Sequence, residues 1–147
     1  MPKNLIACLV FSLSLISVAN CVQRPGNPDA DQASETERTI KGEVLVTNRL
    51  DIDFSKHLIT FIELGADKCI PCRQMQPIMK EIAAEYPDQV LVVFYDVWKN
   101  PAPAEYYKIQ LIPTQVFIDK RGNELFRHVG FFPKEEILKF LRGHGVK

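Results

Sequence analysis

The order of apolar patterns along the chain predicts an α/β fold, a central mixed sheet of four to five strands flanked by helices. Apolar, β-branched runs at residues 59–64 and 90–97 are typical of buried strands. Between them, residues 71–86 carry apolar side chains at helical spacing. Two later strand candidates, 114–118 and 125–129, are separated by a polar turn that contains glycine, which indicates a hairpin. Strands that alternate with helices and end in a hairpin favour a sheet of mixed direction.

The remaining elements are shorter. In chain order the sequence predicts a short strand at 43–47, an irregular segment or helical turn at 50–57, a short helix at 103–108 and a final helix at 133–142. Pro133 suits the first turn of that last helix, where Ile137, Leu138 and Leu141 lie on one stripe. Pro77 lies inside the 71–86 helix and predicts a kink there.

Composition and charge exclude several classes of function. The chain has 147 residues, of which 46% are apolar, enough for one domain with a buried core and some appendages. Lysine plus arginine equals aspartate plus glutamate at 18 each, so no nucleic-acid surface is expected. His57, His128 and His144 are scattered without metal-ligand spacing, and neither a metal nor an organic cofactor is expected.

The N-terminus has the pattern of a targeting segment. Lys3 precedes an uncharged, mostly apolar stretch at residues 5–19, which fits a signal peptide and is short for a spanning helix. We therefore interpret residues 1–20 as a signal peptide, with an uncleaved anchor as the alternative. The protein is then exported to the periplasm or to the outer face of the cytoplasmic membrane, where disulfides persist.

The site of cleavage has two interpretations. The small residues Ser17 and Ala19 suit cleavage after Ala19 by ordinary signal peptidase. In the other interpretation Cys21 resembles the lipidated first residue of a bacterial lipoprotein, although Asn20 departs from that pattern. Residues 21–38 are polar and lack periodicity, which predicts a disordered linker or a membrane tether. The folded domain is expected over residues 39–147, and we expect a monomer.

Two cysteines lie where the first buried strand is followed by the helix. The motif Cys69-Ile70-Pro71-Cys72 places both thiols at a helix start, where free N–H groups and the helix dipole stabilise a thiolate. A disulfide across so short a loop adds little stability, so the pair favours redox chemistry. A zinc site needs more ligands, and haem attachment needs a histidine where Arg73 stands.

Three further motifs accompany the pair in chain order. Pro77 follows the second cysteine by five residues, Ile112-Pro113-Thr114 precedes a strand, and Gly130 separates the last strand from the last helix. Together with the CxxC motif they resemble the thioredoxin superfamily over residues 44–141. The resemblance implies a thiol–disulfide oxidoreductase that acts on protein disulfides or dithiols.

The resemblance also implies a role for each matching residue. Cys69 would attack and Cys72 would resolve the mixed disulfide, while Glu63 stands at the family's buried acid and would accept the proton of Cys72. The apolar residues around Glu63 favour burial, with a solvent-facing carboxyl as the alternative. Pro113 would be cis, and with Ile112 and Gly130 it would form the substrate groove, as implied by those motifs.

Several positions depart from the family pattern. Lys68 replaces a tryptophan, Ile70-Pro71 replaces Gly-Pro, and the lysine that often faces the buried acid is replaced near Phe94. Lys68, Ile70 and Pro71 are therefore the candidates for tuning the redox chemistry. Near the motif, Lys68 and Arg73 favour a thiolate on Cys69, and Asp67 opposes them.

These features predict an exported reductant of protein disulfides, supplied with electrons by a membrane thiol-transfer protein. Pro71 lies at the second position between the cysteines, as in reducing thioredoxins. The alternatives are a thiol oxidase or isomerase, or a lipid-anchored binding module that keeps the fold without turnover.

Overall fold

A computed structural model describes residues 41–147 of the chain. The predicted signal peptide, the predicted linker and the lipidation site Cys21 lie outside these residues and stay predictions. Within residues 41–147, none of the helices combines the length and the apolar character that a membrane span requires.

The described residues form five strands and three α-helices. These are β1 (Leu45–Val46), β2 (Ile59–Gly65), α1 (Ile70–Glu85), β3 (Val90–Asp96), α2 (Ala102–Tyr106), β4 (Thr114–Asp119), β5 (Glu124–Val129) and α3 (Lys134–Gly143). A single 3-10 turn, Phe54–Lys56, follows β1 and is capped by Asp53, whose side chain accepts the Ser55 N–H. The segment predicted as irregular or a helical turn is thus mostly irregular, with one short turn.

The strands form one mixed sheet in the order β1-β3-β2-β4-β5. β1 and β2 both run parallel to β3. Parallel strands that follow one another in the chain need a crossover connection, and α1 provides it between β2 and β3. β4 lies antiparallel to β2 and to β5. The prediction of a mixed sheet flanked by helices is confirmed.

The hairpin between β4 and β5 has a local cause. The Asp119 carboxylate accepts the backbone N–H groups of Arg121 and Asn123 at 2.8 and 2.9 Å, and Gly122 supplies the positive φ that the turn needs. This tight turn holds β5 on the edge of the sheet and directs the chain towards Gly130.

Apolar residues cover both faces of the sheet. On one face the strands pack against α1 and α3, and the buried members include Phe61, Met75, Met79, Phe117 and Ile137. The other face buries a second cluster, which includes Ile62, Leu64, Val93, Tyr95 and Val116. Each buried side chain of this size contributes about 1.5–3 kcal/mol. Because side chains alternate along a strand, Glu63 lies on the same face as Phe61, beneath α1.

Small differences from the predicted boundaries have physical reasons. α1 begins at Ile70, one residue before the prediction, because Cys69 caps it with its own side chain. β1 is only two residues long, since its ladder with β3 is restricted to Leu45 and Val46. Pro77 lies inside α1, and the kink predicted there stays a prediction.

Candidate active site

The two cysteines lie at the junction of β2 and α1 and are joined by a disulfide. Their Cα atoms are 5.2 Å apart. Cys69 is 8% exposed and Cys72 is fully buried, so only one of the two residues reaches the surface. An incoming reactant therefore meets Cys69 first.

Backbone N–H groups in the first turn of α1 donate hydrogen bonds to Cys69. The Cys72 N–H donates to Cys69 Sγ at 3.4 Å, and the Arg73 N–H donates to the Cys69 carbonyl at 3.0 Å. Pro71 occupies the first turn, where its missing N–H removes no intrahelical bond. A sulfur that accepts an N–H at the positive end of a helix is well placed to carry negative charge.

A buried carboxyl lies beneath the same helix. Glu63 is fully buried, and its direct neighbours in the sheet are Phe94 on β3 and Gln115 on β4. Two residues further along β2, on the same face, a Cβ added to Gly65 would lie 3.2 Å from the Cys72 Cβ and 3.3 Å from its Sγ. Glu63 therefore lies on the face of β2 that packs against Cys72 in α1.

The environment of Glu63 disfavours its charged form. Burial raises the pKa of this carboxyl to about 8, and a 2.9 Å hydrogen bond from Gln115 Nε2 to Oε2 offsets only part of that effect. The other carboxyl oxygen, Oε1, is buried without a hydrogen-bond partner among the described residues. A carboxyl of this kind exchanges protons near neutral pH.

The loop before β4 approaches the disulfide from the other side. The Ile112–Pro113 peptide bond is cis, and Ile112 packs against Cys69 and Cys72. Gly130 adjoins this loop, because its N–H donates to the Pro113 carbonyl at 2.8 Å and its φ of +97° suits glycine. The residues predicted to bind substrate therefore lie together beside the cysteines.

Comparison with known proteins gives this arrangement a family. The model of the thioredoxin family matches residues 43–143. The chain belongs to the thioredoxin family. It is 32% identical over 97 residues to thioredoxin from Staphylococcus aureus, an alignment that spans 64% of this chain and 92% of that protein. With its bonded cysteine pair, this thioredoxin-family chain is a thiol–disulfide oxidoreductase.

Solved thioredoxins share the fold. A mutant thioredoxin from Halobacterium salinarum NRC-1 superposes with a TM-score of 0.64 at 23% identity, covering 73% of this chain and 94% of its own. The short form of thioredoxin f from spinach chloroplast gives 0.61 at 20% identity, covering 71% and 96%. At this identity the likeness concerns the architecture of the sheet and helices.

The charges around this thioredoxin-family motif are partly neutralised. Lys68 is exposed beside Cys69, and Asp67, the acid expected to oppose a thiolate, forms an ion pair with Lys99. Lys99 also lies 3.1 Å from Asp96 Oδ2, and its hydrogen bonds to Asp67 and then Asp96 raise its pKa. The positive charge of Lys68 therefore faces less opposition than the sequence indicates.

Two apolar side chains project at the surface of the site. Ile70, between the cysteines, is 66% exposed. Trp98, which follows β3, is 62% exposed, and its loop is held to the end of β2 by the Val97 N–H donating to the Gly65 carbonyl at 2.9 Å. The Trp98 side chain is therefore available at the surface and is not packed in the core.

Sequence reasoning missed Gln115. In the sequence it occupies an ordinary position of a predicted strand. Its side chain is nevertheless fully buried, and its amide donates to Glu63, which lies 52 residues earlier in the chain. A polar residue inside a buried apolar run is the one signal that could have indicated it. Within residues 41–147, no group of three or more histidine, cysteine, aspartate and glutamate side chains is placed to hold a metal.

Proposed function

We propose that this chain reduces disulfides in protein substrates outside the cytoplasm, with Cys69 as the attacking thiolate. The observation that carries the proposal is the unequal exposure of two bonded cysteines at a helix start, Cys69 at the surface and Cys72 fully buried. Attack on a substrate disulfide requires a sulfur that the substrate can reach, which is that of Cys69. The second attack, by Cys72 on Cys69, takes place within the chain and needs no access from solvent.

The exchange proceeds in two steps from the reduced pair. The Cys69 thiolate attacks one sulfur of the substrate disulfide, so that a Cys69–substrate bond forms, the substrate S–S bond breaks and the other substrate sulfur leaves as a thiolate, which takes up a proton. Cys72 then gives its proton to the Glu63 carboxylate and attacks Cys69 Sγ. The Cys69–Cys72 bond forms, and the first substrate sulfur leaves as a second thiolate. Two electrons have passed from the pair to the substrate.

Glu63 supports the second step by its position and its proton affinity. It lies on the face of β2 that contacts Cys72, and burial raises its pKa to about 8. An acceptor with that affinity matches a thiol better than an ordinary carboxylate does. Once the pair is oxidised, the proton on Glu63 returns to solvent.

The cis-proline loop gives the substrate a backbone to pair with. Ile112 packs against the cysteine cluster, and Gly130 is hydrogen-bonded to the adjacent Pro113. The edge that these residues form suits an extended peptide beside the reacting sulfur. Exposed Ile70 would add an apolar contact. These features favour protein substrates over small thiols.

The direction of the reaction is proposed from the motif. Pro71 stands at the second position between the cysteines, as in reducing members of the family, and Lys68, Ile70 and Pro71 tune the potential of the pair. Electrons would come from a membrane thiol-transfer protein with a dithiol of its own. Export is supported by the signal-peptide pattern of residues 1–20, and a lipid on Cys21 would keep the domain at the membrane.

An insulin-reduction assay with dithiothreitol as electron source tests the proposal. We expect turnover by the native chain and none by Cys69→Ser. Absence of turnover by the native chain would favour a binding module instead.

Trapping tests the division of roles. Cys72→Ser should accumulate mixed disulfides through Cys69, whereas Cys69→Ser, the matched control, should accumulate few, because Cys72 is buried. Equal trapping by both variants would contradict the assigned roles.

A further inference from the structure

The buried amide of Gln115 contacts two acceptors at once. Its Nε2 donates to Glu63 Oε2 at 2.9 Å and to the Gly130 carbonyl at 3.1 Å. Both partners are oxygens that accept, so the two hydrogens of the amide nitrogen serve one each. The side chain is fully buried, which keeps water from competing for either bond.

The second acceptor adjoins the cis-proline loop. The Gly130 N–H donates to the Pro113 carbonyl at 2.8 Å, while the carbonyl of the same residue receives Gln115. A continuous series of hydrogen bonds therefore runs from the carboxyl of Glu63 through Gln115 to Gly130 and on to Pro113.

We propose that Gln115 is a positioning residue that couples the protonation of Glu63 to the backbone of the substrate groove at Gly130. The part that Glu63 plays in resolving the mixed disulfide rests on the proposed function. The coupling itself depends only on the hydrogen bonds of the folded chain.

The physical basis is the difference between a charged and a neutral acceptor. When Glu63 is ionised, its bond from Gln115 is charge-assisted and is about twice as strong as a neutral one. The amide then turns towards the carboxylate, at the expense of its bond to Gly130. When Glu63 takes the proton of Cys72, that pull weakens and Gln115 holds Gly130 more firmly. The hydrogen bond to the Gly130 carbonyl in the groove thus strengthens at the step that releases the substrate.

Linkage makes the effect reciprocal. If ionisation of Glu63 alters the Gly130 carbonyl, then a peptide paired at the groove must alter the proton affinity of Glu63 by the same free energy. Bound substrate can therefore prepare the acceptor before Cys72 needs it.

The neighbours of this series include few other titrating groups. Phe94 faces Glu63 from β3, and α1 brings Cys72, which does not titrate while it is in the disulfide. From β5, His128 lies opposite Gln115, and its Nε2 is 3.2 Å from the Phe131 carbonyl. His128 is thus the ionisable neighbour that needs a control variant of its own.

Carbon-13 NMR of the oxidised full chain tests the coupling without any turnover. The side-chain carboxyl of Glu63 and the carbonyl of Gly130 are followed from about pH 5 to about pH 10, a range that brackets the titration of a buried carboxyl. We expect both signals to change with one shared midpoint near the Glu63 pKa of about 8. In Gln115→Met, of similar length but without donors, the Glu63 midpoint should shift upward and the Gly130 carbonyl should no longer follow it.

Control variants separate the causes. In His128→Phe, which keeps a ring against Phe132, the shared midpoint should persist, and in Glu63→Gln the Gly130 change should disappear. Gln115→Leu provides a second apolar variant if Gln115→Met does not fold. A Gly130 carbonyl that ignores Glu63 in the native chain, that still follows it without Gln115, or that follows His128 instead would overturn the proposal.

Kinetics then distinguish this proposal from the proposed function. In the insulin assay, kcat should rise with pH as Glu63 ionises, and Gln115→Met should displace this rise to higher pH and should raise KM. In a Glu63→Gln background, adding Gln115→Met should leave the pH profile unchanged. A native chain that shows the shared NMR midpoint but reduces no insulin would contradict the proposed function alone. Turnover with no shared midpoint would contradict the coupling alone.

Discussion

At Glu63, burial and hydrogen bonding act in opposite directions on one carboxyl. Burial raises its pKa, and the bond from Gln115 lowers it, with burial the larger effect. Phe94, where the family often has a lysine, supplies no charge to reverse the balance. The result is an acid that is mostly neutral at pH 7 and that costs the folded state stability when it ionises.

Replacing Glu63 changes how stability depends on pH. The folded pKa of about 8 lies above the ordinary value of 4.5, so the neutral carboxyl favours the native state below pH 4.5 and this contribution is lost as the pH rises to 8. Between pH 5 and pH 8, Glu63→Gln should therefore gain roughly 3 kcal/mol of unfolding free energy relative to the native chain. Urea unfolding of the oxidised proteins at several pH values measures this difference. Parallel profiles for the two proteins would show that Glu63 titrates normally.

A cation placed opposite Glu63 should reverse the effect of burial. Phe94→Lys puts a cationic side chain at the position of β3 that is paired with Glu63, and it should lower the pKa of Glu63 from about 8. Phe94→Met removes the ring without adding charge and serves as the control. A carbon-13 titration of the Glu63 carboxyl checks this, and identical midpoints in the two variants would contradict it.

At the scale of elements, β2 and α1 meet closely at Gly65. A Cβ there would lie 3.2 Å from both Cys72 Cβ and Phe94 Cε2, closer than side chains normally pack. Gly65→Ala should therefore destabilise the fold by about 1–3 kcal/mol in thermal or urea unfolding. The matched control is Gly143→Ala in α3, where the added Cβ would meet no atom within 4 Å beyond its chain neighbours and the backbone of its own helix, and it should be neutral or stabilising. Equal effects at both sites would mean that the junction tolerates a side chain.

The sequence predicts elements better than it predicts their contacts. The predicted bounds of β2 and β3 agree with the structure within one residue, because fully buried strands are continuous apolar runs. The approach of Gln115 to Glu63 could not be predicted, since it depends on the antiparallel register of β2 with β4 across 52 residues. The pairing of Asp67 with Lys99 escapes prediction for the same reason, because it joins two loops that only the sheet brings together.

At the scale of the whole molecule, we propose separate tasks for the domain and its N-terminal segment. The thioredoxin-family match begins at residue 43, and the pattern of residues 1–20 predicts the place where the domain works. Cleavage before Cys21 would remove Lys3 and leave 17 basic against 18 acidic side chains, a formal charge of −1. Net charge would therefore not draw the cleaved chain to an anionic membrane surface, and we propose a lipid at Cys21 as the means of attachment.

Export should be visible in the mature N-terminus. In a bacterium with both signal peptidases, the full chain should yield a protein that begins at Asn20 or at a lipidated Cys21, as read by mass spectrometry of the membrane and periplasmic fractions. Cys21→Ser should abolish the lipidated form and leave any Asn20 form unchanged. An unprocessed chain in the cytoplasm would contradict the export proposal.

Reduction of protein disulfides is the central claim, and the equilibrium potential of the Cys69–Cys72 pair tests it most directly. Titration against glutathione and dithiothreitol buffers, with the bonded and free thiols counted by alkylation and mass, gives this value for the full chain. Family potentials run from about −270 mV for thioredoxin to about −120 mV for the strongest periplasmic oxidant. A potential near the thioredoxin end is the expected result. A potential near the oxidant end would contradict the claim, because the pair would then take electrons from its substrates.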